Sequence, residues 1–368
     1  MTTGVGETGV VGLLRNGDGP RVLLRADMDA LPVEEKTGLP YASVTRAITD
    51  SGIDVPVMHA CGHDVHVTCL LDACAVLSAD SSSWSGTLVA VFQPAEELGA
   101  GAQAMVDDGL FERFGRPAVV LGQHVAPLPA GIIGLRHGAA FAAADSLSIV
   151  LHGRGGHGSR PEASVDPVVM AAATVMRLQT IVSRELAGTD TAVVTIGSLQ
   201  AGTAANIIPD RAELQLSIRT TAADVRIRVL AAVERIVRGE AVAAGAPRGP
   251  EITLGASFPA VVNDSDAAGR TRPALKAVAQ RVVDQGVVTG SEDVGVLATA
   301  AGAPCVFWLL GGADPASFAD ATAVEEIPAK MLELPSNHSP MYAPEIVPTL
   351  DIGVAALVAA ARKWLSEG

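Results

Sequence analysis

Three short apolar runs in the first third of the chain predict strands that are buried on both faces. They cover residues 22–26, 88–92 and 119–121, and such near-continuous apolar runs are typical of parallel strands covered by helices. Polar side chains follow each run at once, namely Asp27 and Asp29, Glu96 and Glu97, and His124. Because ligands bind outside the carboxyl ends of the strands in open α/β sheets, we expect these side chains to converge on one crevice.

The pattern changes in the middle of the chain, where alternation with a period of two and helical periodicity follow one another. The predicted elements, in order, are strand 146–151, helix 168–186, strand 192–199, strand 213–219, helix 225–244 and a strand near Ile252. This β-α-β-β-α-β order predicts a ferredoxin-like α+β domain at 141–255. It would be inserted between the two parts, 1–140 and 256–368, of a mostly parallel α/β domain.

The last third of the chain returns to alternating helix and strand patterns. Helical periodicity covers residues 267–283, an apolar strand pattern covers 305–310, and a closing helix is predicted near 347–365. We expect these elements to complete the α/β domain.

Size, charge and cysteine content narrow the class of partner. A chain of 368 residues is long enough for about two domains. The net charge of −14 argues against binding to nucleic acid or to an anionic membrane surface, since both need a basic face. We expect a small-molecule partner, and the amino terminus lacks the basic and apolar pattern of a leader, which predicts a cytoplasmic protein. The four cysteines do not predict a disulfide framework in such a chain.

The stretch 58–66 reads Met-His-Ala-Cys-Gly-His-Asp-Val-His and carries candidate metal ligands just ahead of a predicted helix. Thiolate, imidazole and carboxylate groups bind transition metals such as zinc, manganese and cobalt. Cys61 and His63, two residues apart, can reach one site from a turn. The pair alone is equally consistent with a buried thiol beside a surface histidine.

Glu96 and Glu97 stand next to each other after Pro94 at the end of a predicted strand. Adjacent carboxylates at a strand end also occur in ordinary solvated turns. Beside a metal their roles would differ, because a coordinating carboxylate is fixed by the cation while its neighbour can still take a proton from water. His124 and His338 would complete the donor set, although a single histidine is most often structural.

Five motifs in order carry a resemblance to a known family. They are Leu-Arg-Ala-Asp-Met-Asp-Ala-Leu-Pro at 24–32, Met-His-Ala-Cys-Gly-His-Asp at 58–64, Phe-Gln-Pro-Ala-Glu-Glu at 92–97, Gly-Gln-His at 122–124 and Asn-His-Ser-Pro at 337–340. The chain resembles the aminoacylase/carboxypeptidase-type metallopeptidases from about Val10 to its end. Within them it is most similar to the amidohydrolase branch that holds hippurate hydrolases, N-acetyl-diaminopimelate deacetylases and auxin-conjugate hydrolases.

The resemblance implies a catalytic domain with a sheet of the phosphorylase/hydrolase type and two divalent metal ions per subunit, zinc, manganese, cobalt or nickel. It implies five metal ligands, with the thiolate bridging the two ions: Cys61, His63, Glu97, His124 and His338. Glu96 would be the general base, and Asp29 would orient a ligand or the attacking water. Asp27 stands where other branches of the family carry a ligand histidine, so its role stays open.

The inserted domain resembles the family's lid and dimerisation domain, which implies a homodimer. Its motifs imply that His157 and Asn206 hold the substrate carbonyl or carboxylate. Arg219 is consistent both with carboxylate binding and with a solvated strand position. The Ser-Glu-Asp motif at 291–293 supports either the active site or a helix amino-terminal cap, and we favour the cap.

A metal-dependent amidohydrolase of N-acyl amino acids or similar small conjugates is therefore the predicted function. A dipeptidase or carboxypeptidase of the same metal class and a non-catalytic metal-binding scaffold are the alternatives. The Gly-x-Gly-x-x-Gly pattern at 153–158 resembles a dinucleotide fingerprint. No helical pattern follows it directly, and Leu178 and Gln179 stand where an acidic ribose contact would be needed. A nicotinamide enzyme is therefore not predicted.

Overall fold

The computed structural model describes residues 1–49, 51–320 and 326–365. Its strands are β1 Thr2–Val5, β2 Gly9–Asn16, β3 Arg21–Asp27, β4 Arg46–Ile48, β5 Asp54–Pro56, β6 Gly86–Gln93, β7 Val119–Pro129, β8 Ile132–Gly134, β9 Gly138–Phe141, β10 Ala143–His152, β11 Gly156–His157, β12 Ala192–Ala201, β13 Ile207–Ile208, β14 Arg211–Thr220, β15 Glu251–Phe258, β16 Val261–Asn263, β17 Arg281–Val283 and β18 Cys305–Ala313. Its α-helices are α1 His63–Ala79, α2 Gly101–Asp107, α3 Leu110–Phe114, α4 Pro167–Thr180, α5 Ala223–Ala243, α6 Ser265–Lys276, α7 Val294–Ala301, α8 Ile327–Met331 and α9 Thr349–Leu365.

The chain folds into two compact units. The first unit consists of Met1–Ala140, Val261–Gly286 and Asp293–Gly368, and the second consists of Phe141–Ala260 and Val287–Glu292. Each unit has its own sheet and its own apolar core.

The first unit is built on an eight-stranded sheet in the order β1-β2-β6-β3-β7-β18-β8-β17. The neighbours β6, β3, β7 and β18 at its centre run parallel to one another, so the predicted α/β fold with a mostly parallel sheet is confirmed. The strands predicted from the apolar runs at 22–26, 88–92 and 119–121 are β3, β6 and β7, and β3 lies between β6 and β7 in the sheet.

Helices α1 and α9 cover one part of this sheet with apolar side chains. Leu70 of α1, Trp308 of β18 and Leu357 of α9 belong to one buried cluster, and full burial of a leucine side chain stabilises a fold by about 1.5–3 kcal/mol. The buried residues of α1 recur at helical spacing from its first turn, where His63 and His66 lie on the same face as Leu70. Packing of this face therefore fixes the two histidines as well.

The second unit is a four-stranded antiparallel sheet in the order β12-β14-β10-β15, with α4 and α5 packed in its core. Leu214, Leu216 and Ile218 of β14 are buried, and alternate residues of that strand are more exposed. The alternating pattern in the sequence predicted this shared apolar face, which is confirmed. The pattern at 153–158 contains strand β11, and the next α-helix, α4, begins only at Pro167, so the pattern does not open a helix as a dinucleotide fingerprint would.

One predicted helix was wrong in its second half. The helix expected over 267–283 ends at Lys276, and Arg281–Val283 forms strand β17, which pairs in parallel with β8. Val282 and Val283 are β-branched, and pairing at the edge of the sheet satisfies their backbone groups as a helix would.

Among the described residues, no helix combines the length and apolar character that crossing a membrane requires. The four cysteines are free thiols.

Candidate metal centre

Three neighbouring strands of the first unit's sheet carry polar side chains at or near their carboxyl ends. β3 ends at Asp27 and β6 ends at Gln93, while His124 lies within β7. Beyond β6 the chain turns sharply at Ala95, whose φ of 49° is in the left-handed region that non-glycine residues rarely adopt. This turn leads directly into Glu96 and Glu97, and such strained backbone is concentrated at functional sites.

The loop before α1 brings Cys61 and His63 close to these strand ends. Gly62 between them has a φ of 78°, and a Cβ atom at this position would lie 2.4 Å from Cγ1 of Val125. Only glycine fits both the backbone conformation and the contact. Gly62 is the residue that precedes the helix, so His63 is fixed in the first turn of α1.

Four of the predicted ligands lie close together in pairs. Sγ of Cys61 is 3.6 Å from Nε2 of His124, and Nε2 of His338 is 3.1 Å from Oε1 of Glu97. Donor atoms of Cys61, Glu97 and His338 all lie within 4.8 Å of one another. His338 also has a positive φ, 73°, and its backbone N–H donates a hydrogen bond to the carbonyl of Ala60 at 2.7 Å.

His63 presents a buried nitrogen to this cluster. Its Nδ1 donates a hydrogen bond to Oδ1 of Asp29 at 3.0 Å, so in the neutral ring Nε2 carries the lone pair. Nε2 lies 3.5 Å from Oδ2 of Asp27 and 4.0 Å from Oε1 of Glu97, and it makes no hydrogen bond to the described residues. A buried imidazole nitrogen without a hydrogen bond and close to carboxylates is suited to bind a cation. The contact of Nδ1 is of the kind that orients ligating histidines.

The carboxylates around Cys61 and His63 favour the protonated forms of these two side chains and would favour a bound cation. Burial and then the neighbouring carboxylates Glu97, Asp27 and Glu96 raise the pKa of the Cys61 thiol far above its usual value. Burial lowers the pKa of His63, but the carboxylates of Asp27 and Asp29 outweigh it and raise the pKa to about 9. A divalent cation would reverse this effect on the thiol. Thiolate, imidazole and carboxylate are the donors that zinc and related metals use, so the residues fit the implied metal.

Asp29 lies between two elements that carry candidate ligands. Its Oδ1 accepts from His63, and its Oδ2 accepts from the backbone N–H of Glu97 at 2.9 Å. Although burial raises the pKa of Asp29, the hydrogen bonds from His63 and Glu97 lower it below its usual value. Asp29 is therefore an ionised acceptor that links α1 to the turn after β6.

Asp27 is engaged on both of its oxygens. Nη1 of Arg25 donates to Oδ2 at 2.9 Å, and Nδ1 of His66 donates to Oδ1. Burial raises the pKa of Asp27, but the charges of Arg25 and His63 and the hydrogen bond from His66 hold it well below its usual value. Burial lowers the pKa of His66 to about 3, so that ring is neutral.

The favoured cap interpretation of Asp293 was wrong. Asp293 precedes α7, but its side chain makes no hydrogen bond to the helix. Instead it accepts from Nη2 of Arg25 at 3.1 Å, from Nε2 of Gln93 at 2.6 Å and from the backbone N–H of Ala102 at 3.1 Å. A buried guanidinium needs such partners, and this requirement outweighs a cap contact.

The predicted substrate residues belong to the second unit. His157 and Asn206 line one shallow pocket, and Nδ1 of His157 accepts from Oγ of Ser159 at 2.7 Å. Arg219 is half-buried and donates to Oγ of Ser291 at 3.3 Å, so it is not a fully solvated strand residue.

Two residues at the centre received no role from the sequence. His66 lies three positions after His63 in α1, a spacing that puts both rings on one face and could have identified it. Asn337 donates to the carbonyl oxygen of Cys61 at 3.1 Å. Only its position beside His338 in the Asn-His-Ser-Pro motif pointed to it.

The first unit has a mostly parallel α/β sheet, and thiol, imidazole and carboxylate groups cluster at the ends of its central strands. This combination is typical of metal-dependent hydrolases. Residues 23–330 match the sequence profile of peptidase family M20/M25/M40. The chain belongs to this family, as the resemblance of its motifs implied.

Similar proteins support the assignment. The chain is 44% identical over 237 residues to hippurate hydrolase of Campylobacter jejuni, a match that covers 64% of this chain and 59% of that enzyme. It is 35% identical over 289 residues to N-acetylcysteine deacetylase of Bacillus subtilis, covering 78% and 72% of the two chains. The structure of the YXEP protein of Bacillus subtilis, a dinuclear metal binding peptidase, superposes with a TM-score of 0.77 at 28% identity and covers 99% of this chain and 87% of that one.

Proposed function

We propose that this protein is a metal-dependent amidohydrolase that cleaves N-acyl amino acids or similar small conjugates into a carboxylic acid and a free amino acid. The names of its relatives support this substrate class, since one acts on hippurate and another on N-acetylcysteine. The cluster of donors at the sheet edge supports metal dependence.

The main support for the proposal is that the adjacent carboxylates of Glu96 and Glu97 have different surroundings. Oε1 of Glu97 faces Nε2 of His338 and Nε2 of His63. Glu96 is only 5% exposed, and one of its carboxylate oxygens lies within 4.8 Å of donor atoms of His63 and Glu97. A buried carboxylate beside a set of ligands is the arrangement that water activation needs.

We assign the proton transfers to Glu96. It takes one proton from the water that attacks the amide carbonyl carbon and returns it to the nitrogen as the C–N bond breaks. Water is thereby added across the amide, and the products are an acid and an amine. Asp29 keeps the ring of His63 oriented throughout.

We propose two divalent metal ions held by Cys61, His63, Glu97, His124 and His338, with zinc, manganese, cobalt and nickel as the candidates. Such ions polarise the substrate carbonyl and make water more acidic. The description of the YXEP protein as a dinuclear metal binding peptidase supports the number of ions.

We further propose that the ferredoxin-like second unit acts as a lid and pairs two chains in a homodimer. Val169 and Met176 of α4 are 65% and 72% exposed, seven residues apart and so on one face of the helix. β12 is an edge strand of the same unit. His157 and Asn206 are the proposed substrate-holding residues of this unit, and Arg219 is the candidate for a substrate carboxylate.

Reconstitution of the purified protein with each of the four metals tests the activity. N-acetyl and N-benzoyl amino acids and dipeptides are screened for released amine, and we expect hydrolysis of the N-acyl amino acids in at least one metal form. Preferred cleavage of dipeptides would support the dipeptidase alternative. Metal binding without hydrolysis of any substrate would favour the scaffold.

A further inference from the structure

The backbone of Val125 connects the candidate ligands Cys61 and His124. Its carbonyl oxygen accepts from Nδ1 of His124 at 2.8 Å and from Nδ2 of Asn337 at 3.2 Å. Its N–H donates to Nε2 of His66 at 2.7 Å. β3 pairs with β7 only as far as Gly122, so Val125 lies beyond the part of β7 that β3 covers.

His66 accepts a hydrogen bond from the backbone N–H of Val125. Its Nε2 accepts from Val125 and its Nδ1 donates to Asp27, which defines the tautomer of the neutral ring. Asp27 is in turn held by Arg25. The ring of His66 packs against the ring of His124 with centroids 4.6 Å apart and an interplanar angle of 68°. His66 therefore restrains both the backbone and the ring of the candidate ligand.

Asn337 contacts the backbone carbonyl oxygens of Val125 and Cys61. Its Nδ2 lies 3.1 Å from the carbonyl oxygen of Cys61, 3.7 Å from its Sγ and 3.2 Å from the carbonyl oxygen of Val125. An amide NH₂ group has two hydrogens, so it can bridge the loop before α1 and strand β7. The distance to sulfur is within reach of an N–H···S contact, which would stabilise a thiolate.

Asp27, His63, His66 and His124 could also be read as a metal site of their own, because their donor atoms lie within 4.8 Å of one another. The hydrogen bonds argue against this. Both ring nitrogens of His66 are used, one by Asp27 and one by the backbone of Val125. Both oxygens of Asp27 are used as well, by Arg25 and His66. Oδ2 of Asp27 also lies 3.5 Å from Nε2 of His63, so Asp27 contacts a candidate ligand while Arg25 and His66 hold its two oxygens.

We infer that His66 and Asn337 are positioning residues that act through the backbone of Val125 to set the Cys61–His124 pair, with Asp27 as the anchor of His66. The inference rests on the proposed metal site. It gives Asp27, which stands where other branches of the family carry a ligand histidine, a structural task instead of a coordinating one. Neighbours that orient metal ligands typically change metal affinity about 10- to 100-fold when they are replaced.

Cobalt(II) binding followed by absorption spectroscopy tests the inference. Wild type should show a thiolate-to-cobalt charge-transfer band that Cys61→Ser removes. Asn337→Leu keeps the size of the side chain and removes the donor, and His66→Phe removes both hydrogen bonds of the ring. We expect each variant to bind cobalt about 10- to 100-fold more weakly. Asn337→Leu should also shift the charge-transfer band, which loss of stability alone would not do.

The chain offers a matched control for each variant. Asn263 also bridges two backbone carbonyls with its amide, those of Arg136 and Phe307, but neither carbonyl belongs to a candidate metal ligand or to Val125. His152 is a buried histidine of the second unit that contacts Glu251. Asn263→Leu and His152→Phe should keep the wild-type spectrum and affinity, even where they lower the melting temperature of the metal-free protein.

Three outcomes would overturn the inference, and they differ from one another. Wild-type cobalt affinity and an unshifted band in both Asn337→Leu and His66→Phe would reject the positioning role alone. Equal loss of cobalt in these variants and in their controls would assign the effect to general destabilisation. A wild-type protein without a Cys61-dependent band would reject the proposed metal site and the positioning role with it.

Discussion

The carboxylate of Asp29 accepts a hydrogen bond from Nδ1 of His63 at 3.0 Å. The same carboxylate accepts from the backbone N–H of Glu97 at 2.9 Å, so one side chain orients a candidate ligand from α1 and another from the turn after β6. His63 and Glu97 lie 34 and 68 residues after Asp29 in the sequence.

Asp29→Asn should weaken metal binding without unfolding the protein. An asparagine side chain offers one acceptor oxygen, so it can keep the contact to His63 or to Glu97 but not both. We expect about a 10- to 100-fold loss of metal affinity, measured by competition with a chromophoric chelator. Asp284→Asn is the control, because Asp284 also accepts from a backbone N–H, that of Gly286, and from an arginine. Equal affinities of the two variants would contradict the role of Asp29.

Glu96→Gln and Glu97→Gln should separate turnover from metal binding. Glutamine at position 96 keeps the size of the side chain but cannot take a proton from water. We expect Glu96→Gln to retain its metal content and to lose about 10²- to 10⁴-fold in kcat. Glu97→Gln should lose metal, since Oε1 of Glu97 faces His338 at 3.1 Å. Metal content by elemental analysis and kcat are measured on the same preparations. Loss of metal in Glu96→Gln and loss of turnover alone in Glu97→Gln would mean that Glu97 is the base and Glu96 the ligand.

Periodicity in the sequence predicted much of the fold because it records local burial. The apolar runs before Asp27, Glu96 and His124 predicted three strands that are neighbours in the sheet. The general rule for ligand sites in open α/β sheets predicted that the side chains after these strands converge, but not the order of the strands. The pattern failed at Val282 and Val283, where a short edge strand and the end of a helix have the same local composition.

The side-chain partners at the centre could be predicted only in part. Donor types were evident from the motif around Cys61 and His63, and their roles as ligands stay predictions. The contact between Arg25 and Asp293 joins residues 268 positions apart, and that between Asn337 and Cys61 joins residues 276 apart. No periodic pattern records such pairs, because each depends on where two distant segments meet after folding.

Asp293→Ala should be much more destabilising than loss of a surface ion pair. Asp293 and Arg25 have side chains that are 1% and 0% exposed, and their ion pair is 3.1 Å long. Arg25 keeps its pair with Asp27, but the substitution removes its second buried carboxylate and the acceptor of Gln93 and Ala102, which should cost about 3–5 kcal/mol in the free energy of unfolding. Asp54→Ala removes the exposed pair with Arg46, 2.9 Å long, and should cost only about 0.2–1 kcal/mol. Chemical denaturation of the metal-free proteins measures both values, and similar losses would contradict the ranking.

Metal binding should release protons and become tighter as the pH rises. In the metal-free protein burial, the largest single effect, lowers the pKa of His63, but the carboxylates of Asp27, Asp29 and Glu97 together raise it to about 9. Burial and nearby carboxylates raise the pKa of Cys61 as well. Both groups therefore hold protons near neutral pH, and both must lose them to coordinate a cation. Because each proton is held below its raised pKa, affinity should increase about tenfold per pH unit for each proton released.

Calorimetry in buffers of different ionisation enthalpy counts these protons. Wild type should release more protons per bound ion than Cys61→Ser, which has no thiol to ionise. Asp29→Asn should release fewer from His63, because the carboxylates of Asp27 and Asp29 are what raise the pKa of that ring. A metal affinity that stays constant between about pH 6 and pH 8 would mean that neither group is a ligand, since every coordinating thiol and imidazole must be deprotonated.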